Sequence, residues 1–266
     1  MTESIKFLSY NCHGLNAVKS IYLREISSVY DFVLLQETWL YEDTNFFDKN
    51  LQGFSSYTIS GMDASKVNYG RPYGGCAILW KEDLLVSVTP VSTSSNRLCG
   101  VIIKNFDYSI LVFNVYMPCD SGCQIDNEQY SEILLEIAML YEKSDVQYVV
   151  IGGDFNTDFS RNSPVCQRLR TFLTEECMCC VSLVDRFNID YTFESMANGS
   201  KSLIDHFVVS EIWLNVFLNT RYIMMQIIYL TTLLYQLFLI YQVKNAIALC
   251  LNSRLTYAGV RRQWNT

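Results

Sequence analysis

The 266-residue sequence predicts an α+β fold in which two packed β-sheets are covered by helices. Three observations support this prediction. Short apolar runs bounded by turn residues recur at intervals of about ten residues, as in a β-sandwich. A longer segment changes to the helical period of about 3.6 residues. Half of the residues are hydrophobic and 14% are aromatic, so the chain can bury a full core and is not intrinsically disordered.

The predicted strands follow one another along most of the chain, and one clear helix interrupts them. Apolar alternation or continuous apolar runs indicate strands over residues 5–10, 31–36, 74–80, 84–91, 98–104, 108–115, 146–151, 191–195 and 202–210. Between residues 124 and 143 the apolar side chains recur every three or four positions, which predicts a helix with one buried face. They are Tyr130, Ile133, Leu134, Ile137, Leu140 and Tyr141.

Charge divides the chain near residue 211. All 27 acidic residues lie within residues 1–211, whereas residues 212–266 carry five basic residues and no acidic residue. Because such a sign change is typical of a boundary, we assign residues 1–211 to one domain. Residues 212–266 are expected to form an unrelated hydrophobic, basic tail.

The tail contains a run that could contact a membrane. Residues 222–243 hold no charged residue over 22 positions, and a bilayer-spanning helix needs about 20. Glutamine and threonine side chains interrupt the run. The basic residues that follow it would keep the C-terminus in the cytosol, so the preceding domain would have to be translocated. Because the N-terminus carries no signal for translocation, we favour an out-of-frame or decayed segment over a membrane contact.

The N-terminus and the cysteines also bear on location. The first ten residues contain no basic region followed by a long apolar stretch, so they do not form a secretory signal. Ten cysteines without such a signal are best interpreted as reduced thiols. We therefore expect a nuclear or cytoplasmic protein that is not secreted.

The acidity of residues 1–211 argues against binding nucleic acid through a broad basic face, although not against a carboxylate site that works through a bound cation.

Polar side chains stand where several predicted strands end. Taken singly, an Asx residue after a strand usually forms a turn, and a glutamate at a strand end is usually solvated. Taken together, three carboxylates, two amides and a phenol could converge on one rim of the sandwich. They are Asn11, Glu37, Tyr116, Asp154, Asn156 and Asp205.

Such a set of side chains suits the hydrolysis of a phosphodiester. Mg²⁺ keeps several waters and needs only one or two protein oxygens, which Glu37 with help from Asn11 would supply. The cation offsets the charge that develops on the phosphate in the transition state. Asp154 is placed to orient or deprotonate a water, and Asn156 to orient that carboxylate or the phosphate. Tyr116 could donate a hydrogen bond to the phosphate or to the leaving oxygen.

Six sequence blocks carry a specific resemblance. They are SYNCHGL, LLQETWL, GRPYGGCAILWK, NVYMPCD, GGDFNTDF and SLIDHFVVS, and they occur in this order. The order and wording resemble the endonuclease/exonuclease/phosphatase superfamily, and within it the endonuclease domain of LINE-type (non-LTR) retrotransposons. The resemblance implies a four-layer α/β/β/α sandwich of the DNase I and exonuclease III type. It also implies nicking of DNA that depends on Mg²⁺ or Mn²⁺; no protein partner can be inferred.

The resemblance assigns roles to individual residues. Asn11 and Glu37 match the metal-side positions, and Tyr116 matches the tyrosine that contacts the phosphate. A further pair, Asp154 and Asn156, matches the residues that activate the water.

Two weaker assignments complete the set. Asp205 matches the aspartate that in this superfamily supports the catalytic histidine. Arg71 is a weak candidate for contact with the substrate, because solvated surface arginines are common.

The sequence departs from the superfamily at that histidine. The superfamily pattern has a late Ser-Asp-His, yet no histidine follows His206 in this chain. His206 is adjacent to Asp205 in a predicted strand, so the two side chains should point to opposite faces. His13 is interpreted as an ordinary loop histidine. We therefore expect impaired activity, since loss of a general acid or base typically costs about 10²–10⁴-fold.

Two alternatives to a DNA endonuclease remain open. A lipid or inositol-phosphate phosphodiesterase of the same superfamily would keep the fold and change the substrate, because a fold does not determine a substrate. A non-catalytic remnant would keep the fold without turnover.

Overall fold

The computed structural model describes residues 4–41, 45–62, 72–184, 190–195, 197–213, 224–228 and 246–252. Within these ranges the helices are α1 (Ala17–Ser27), α2 (Phe46–Asn50), α3 (Gln124–Lys143), α4 (Pro164–Glu175) and the short 3₁₀ helix η1 (Val181–Leu183). The first seven strands are β1 (Ser4–Asn11), β2 (Phe32–Gln36), β3 (Phe54–Ile59), β4 (Cys76–Lys81), β5 (Ser87–Val91), β6 (Leu98–Lys104) and β7 (Ser109–Tyr116). The other strands are β8 (Tyr148–Asp154), β9 (Met178–Cys180), β10 (Phe193–Glu194), β11 (Lys201–Ser202), β12 (Asp205–Ser210), β13 (Met224–Ile228) and β14 (Ala246–Asn252).

The strands form two six-stranded sheets and a small ribbon. The first sheet has the order β13-β14-β1-β2-β4-β3, and the second has the order β5-β6-β7-β8-β12-β9. β10 and β11 pair with each other alone. Each large sheet contains one parallel pair, β1 with β2 and β7 with β8, and in each case a helix makes the crossover. Parallel neighbours end at the same edge of a sheet, and that edge carries the candidate site.

Three apolar clusters define four layers. Between the two sheets lie residues of both, among them Phe7, Leu34, Val112, Val150 and Phe207. The outer face of the first sheet packs against α1 and α2 through Leu23 and Phe47. The outer face of the second sheet packs against α3 and α4 through residues that include Tyr130, Ile133, Ile137, Val165 and Leu169. The chain is therefore an α/β/β/α sandwich, as the sequence predicts.

Most of the predicted strands are confirmed, with shifts at their ends. The strand predicted over residues 98–104 and the helix predicted between 124 and 143 agree with β6 and α3. The strand predicted over 202–210 is divided into two strands, β11 and β12, because residues 203–204 belong to neither strand. The sequence analysis did not predict the short helix α2 or the strands β3, β9, β13 and β14, nor did it predict the helices α1 and α4. Sequence signals existed for both helices, since Asn16 and Ser163 cap their first turns through side-chain oxygens.

The region after residue 211 contributes two strands to the first sheet. β14 pairs antiparallel with β1, and β13 pairs antiparallel with β14. This pairing covers an edge of β1 that would otherwise present unpaired backbone groups. Of the uncharged run over residues 222–243, only 224–228 lies within the described residues. Among the residues that the structure describes, no helix is long and apolar enough to cross a bilayer. The boundary at residue 211 stays a prediction.

Buried amides fasten the two sheets to each other. The Gln36 side chain, at the end of β2, donates to Asn114 Oδ1 of β7 at 2.6 Å. The Asn114 amide nitrogen donates in turn to the carbonyl oxygens of Leu35 at 2.8 Å and Ala77 at 2.9 Å. Both amide side chains are fully buried. Because an unmade hydrogen bond is costly in a dry interior, these contacts set the sheets in one relative position.

Asn114→Leu is expected to lower the free energy of unfolding by about 3 kcal/mol, because the Leu35 and Ala77 carbonyls lose the Asn114 donor and the Gln36 amide loses its shortest hydrogen bond in the interior. Urea denaturation followed by circular dichroism measures this change. The same substitution at Asn96, in an exposed turn, serves as the control and should change stability by about 0.5 kcal/mol or less. Equal stabilities of the two variants would contradict the role given to Asn114.

Candidate active site

The candidate site is built around one amide that joins two carboxylates. Asn11 Nδ2 lies 2.9 Å from Glu37 Oε1 and 2.8 Å from Asp154 Oδ2. The three residues are 1%, 8% and 0% exposed, respectively. Asn11 ends β1 in the first sheet and Asp154 ends β8 in the second, so the contact crosses the sandwich. The structure thus brings together two of the predicted carboxylates.

The orientation of the Asn11 amide follows from its surroundings. Asn11 Oδ1 accepts a hydrogen bond from the backbone N–H of His13 at 3.1 Å. The amide nitrogen therefore faces the carboxylates, which only accept hydrogen bonds when ionised. In this arrangement Asn11 holds both carboxylates in place by donating to them.

Backbone hydrogen bonds attach the Glu37 segment to the end of β1. The backbone N–H groups of Cys12 and Gly14 donate to the carbonyls of Gln36 and Glu37 at 2.8 and 2.7 Å. The N–H of Leu15 donates to the Thr38 carbonyl at 3.0 Å. These contacts continue the parallel pairing of β1 and β2 beyond the ends of the strands. Glu37 is therefore fixed relative to Asn11 by the main chain as well as by its side chain.

Left-handed backbone conformations cluster at the same place. Within the described residues, five non-glycine positions have positive φ, and four of them lie here: His13 at 47°, Glu37 at 52°, Trp39 at 56° and Asn156 at 48°. Such conformations are uncommon for residues with a Cβ and are retained where the surroundings impose them, often at functional sites. The fifth is Cys177.

The loop after β8 presents Asp154 and Asn156. Asp154 Oδ1 accepts from the backbone N–H of Asn156 at 3.0 Å, so the carboxylate also closes its own turn. The Asn156 amide nitrogen donates to the Met117 carbonyl at 2.8 Å, and the Met117 N–H donates to the Asp154 carbonyl at 2.8 Å. The loop is thereby tied to the segment that follows β7.

Tyr116 and Asp205 stand on either side of Asp154 in the second sheet. Tyr116 is the register partner of Asp154 on β7, and Asp205 is its partner on β12. The Arg97 guanidinium lies 4.9 Å from the centre of the Tyr116 ring and donates to the Tyr116 carbonyl at 3.2 Å. The Asp205 N–H donates to Thr192 Oγ1 at 3.1 Å. Arg71 lies outside the described residues.

His13 belongs to this site, which the sequence interpretation as a loop histidine missed. Its Nδ1 lies 3.2 Å from Glu37 Oε2, and its ring centre lies 4.9 Å from that of Trp39. Gly14 makes room for this arrangement, because a Cβ there would come within 2.1 Å of the Trp39 ring. The only sequence signal was its position two residues after Asn11, in the same turn.

The side chain of His206 points to the face of β12 that strand alternation predicts, opposite to that of Asp205. His206 contacts Phe155 and Phe159 on the outer face of the second sheet, away from the Asp154 carboxylate.

The donors at the rim suit a hard divalent cation. Glu37 and Asp154 are buried oxygen donors that share one amide, and Mg²⁺ prefers carboxylate oxygen and retains its waters. The neighbouring thiols stay protonated at neutral pH, because burial raises the pKa of Cys76 to about 12 and also raises that of Cys12. Among the described residues, no group of three or more His, Cys, Asp or Glu could hold a metal by itself.

Comparison with solved structures gives the same fold. The endonuclease domain of TRAS1, a telomere-specific non-LTR retrotransposon, superposes with a TM-score of 0.63 at 14% identity, covering 94% of this chain and 98% of that domain. A 3′-5′ exonuclease from Neisseria meningitidis gives a TM-score of 0.65 at 13% identity, covering 94% and 100%. An AP endonuclease from Archaeoglobus fulgidus gives 0.63 at 15% identity, covering 93% and 99%.

The family is established from the sequence itself. No curated protein matches the chain. The sequence pattern of the Endonuclease/Exonuclease/phosphatase family matches residues 8–218, a span that includes every side chain described at the rim. The chain is a member of the endonuclease/exonuclease/phosphatase family.

Proposed function

We propose that the chain is a phosphodiesterase that depends on Mg²⁺ or Mn²⁺ and acts on DNA, in the manner of a retrotransposon endonuclease. The observation that carries this proposal is the Asn11 amide, which joins the Glu37 and Asp154 carboxylates across the two sheets. Two buried carboxylates held this close favour a divalent cation, and a phosphodiester is a substrate on which such a cation acts directly.

In this proposal Glu37 binds the cation. A bound Mg²⁺ supplies a Lewis acid that polarises a phosphate oxygen. Asn11 and His13 each contact one oxygen of the Glu37 carboxylate, so the plane of the carboxylate is held by contacts at both oxygens.

In this proposal Asp154 and Asn156 act on the attacking water. Asp154 orients the water or accepts its proton, and Asn11 holds the carboxylate ready for that task. Asn156 anchors the turn that carries Asp154 through the Met117 carbonyl. Tyr116 donates to the phosphate from the neighbouring strand. Asp205 supports the same edge from the other neighbouring strand.

A slow rate is part of the proposal. In the superfamily pattern Asp205 pairs with a late histidine, and this sequence has no histidine after residue 206. His13 contacts Glu37, and His206 contacts Phe155 on the outer face of the second sheet. Loss of an acid or base of this kind costs about 10²–10⁴-fold in rate.

The choice of DNA as substrate rests on similarity. The three structures compared above are named as a retrotransposon endonuclease domain, an exonuclease and an AP endonuclease. We propose the same substrate class here, in a nuclear or cytoplasmic protein. The uncharged stretch at residues 222–243 is the one feature that favours a lipid phosphodiesterase instead, and release of phosphate or headgroup from phosphoinositide or sphingomyelin vesicles would support that alternative.

Asp154→Asn is expected to lower the rate of plasmid nicking by about 10²-fold or more, because the amide cannot accept the proton of the attacking water. The assay uses supercoiled plasmid with Mg²⁺, and addition of a chelator should abolish the remaining activity. Asp107→Asn, in an exposed turn, is the matched control and should nick at the wild-type rate. Equal rates for Asp154→Asn and wild type would refute the assignment of Asp154. A folded wild-type chain that does not nick would support the non-catalytic alternative.

Glu37→Gln is expected to weaken Mn²⁺ binding by about tenfold or more, because a neutral amide replaces the carboxylate that faces the cation. Electron paramagnetic resonance of free Mn²⁺ measures the affinity without any need for turnover. Glu142→Gln, exposed on α3, is the control and should bind Mn²⁺ like the wild type. Unchanged affinity in Glu37→Gln would place the cation elsewhere.

A further inference from the structure

A buried polar network lies behind the loop that carries Asp154 and Asn156. At its centre is His206 of β12, which is fully buried. His206 Nε2 lies 2.8 Å from the Thr157 carbonyl oxygen, and His206 Nδ1 lies 2.8 Å from Ser182 Oγ on η1. Ser182 Oγ is in turn 3.1 Å from Cys180 Sγ. Both ring nitrogens are therefore engaged, one of them with the main chain of the loop.

The contacts determine where the ring carries its proton. A carbonyl oxygen only accepts hydrogen bonds, so Nε2 carries a hydrogen and donates to Thr157. In the neutral ring Nδ1 then accepts from the Ser182 hydroxyl. Burial lowers the pKa of His206, but the facing Cys180 sulfur, the Thr157 carbonyl and the Asp205 carboxylate raise it overall. The hydrogen bond to Thr157 is made in either charge state, because Nε2 is a donor in both.

The loop depends on contacts of this kind. Asn156 has a φ of 48°, a left-handed conformation that is uncommon for residues with a Cβ, although asparagine adopts it more readily than most. Thr157 is buried, and its hydroxyl contacts the Tyr130 hydroxyl of α3 at 2.9 Å. The Phe155 N–H donates to the Ile204 carbonyl at 2.9 Å. The short segment from Asp154 to Thr157 is thus held by contacts with α3, with Ile204 just before β12, and with His206 in β12.

We infer that His206 is a positioning residue, which holds Asp154 and Asn156 in their working conformation by donating from Nε2 to the Thr157 carbonyl. The inference rests on the proposed function, since it assigns His206 a task within the same site. Strand β12 then contributes to the site from both of its faces. Asp205 faces the gap between the sheets, and His206 faces the outer layer behind the loop that carries Asp154 and Asn156. This alternation is a direct consequence of the period of two along β12.

The test compares His206→Gln with His206→Asn. The terminal nitrogen of glutamine can reach the place of Nε2 and donate to Thr157, whereas the shorter asparagine reaches only the place of Nδ1. We expect His206→Asn to lower kcat for plasmid nicking by about 10²-fold with little change in KM for DNA, because a displaced catalytic group loses reactivity without losing substrate contacts. His206→Gln should restore most of kcat.

Two further measurements separate positioning from general stability. Thermal unfolding should give similar Tm values for the two variants, and Ser182→Ala should retain kcat because it leaves the contact with Thr157 in place. Hydrogen exchange of a peptide covering residues 154–159, read by mass spectrometry, should be faster in His206→Asn than in His206→Gln. This second readout does not require turnover.

The outcomes distinguish the two proposals. Equal kcat and equal exchange in the Gln and Asn variants would overturn the inference about His206. A loss of kcat that follows Tm in all variants would overturn it as well. A wild-type chain without metal-dependent nicking would instead contradict the proposed function. The hydrogen-exchange comparison would then still decide whether His206 holds the loop.

Discussion

The architecture of the site depends on the hydrogen bonds of a single amide. Asn11 lies at the end of the first sheet, and its side chain donates to a carboxylate of each sheet layer, Glu37 and Asp154. Two ionised carboxylates in a buried rim repel each other and lose hydration, which is costly unless donors or a cation compensate. The amide supplies part of that compensation and also sets the distance between the groups. In the proposed function a divalent cation supplies the remainder.

The rest of the fold keeps this amide in place. The buried link between Gln36 and Asn114 fixes the sheets to each other one position away from the rim. The parallel pairs β1–β2 and β7–β8 bring the ends of four strands to one edge, and main-chain hydrogen bonds extend the first pair past Glu37. Because both sheets are packed on both faces, the side chains at their shared edge have little freedom.

The backbone at the rim is held in conformations that would not persist in isolation. His13, Glu37, Trp39 and Asn156 all have positive φ, and each such position costs on the order of 1 kcal/mol or more. The network around His206 and the tilted ring contact of His13 with Trp39 are the kinds of contact that offset this cost. Strain concentrated at a rim of carboxylates is typical of a preorganised site.

The sequence by itself determined most strands of the two sheets, the long helix α3 and the six polar residues at the strand ends, because alternation, helical period and turn residues are local properties. It also determined the family, because six motifs in a fixed order are specific. Only the tertiary structure decided which of those residues meet. The Asn11–Asp154 hydrogen bond spans 143 positions along the chain, and no local pattern encodes such a distance. The structure likewise decided that His13 faces Glu37, because the direction of a turn residue follows from the packing around it.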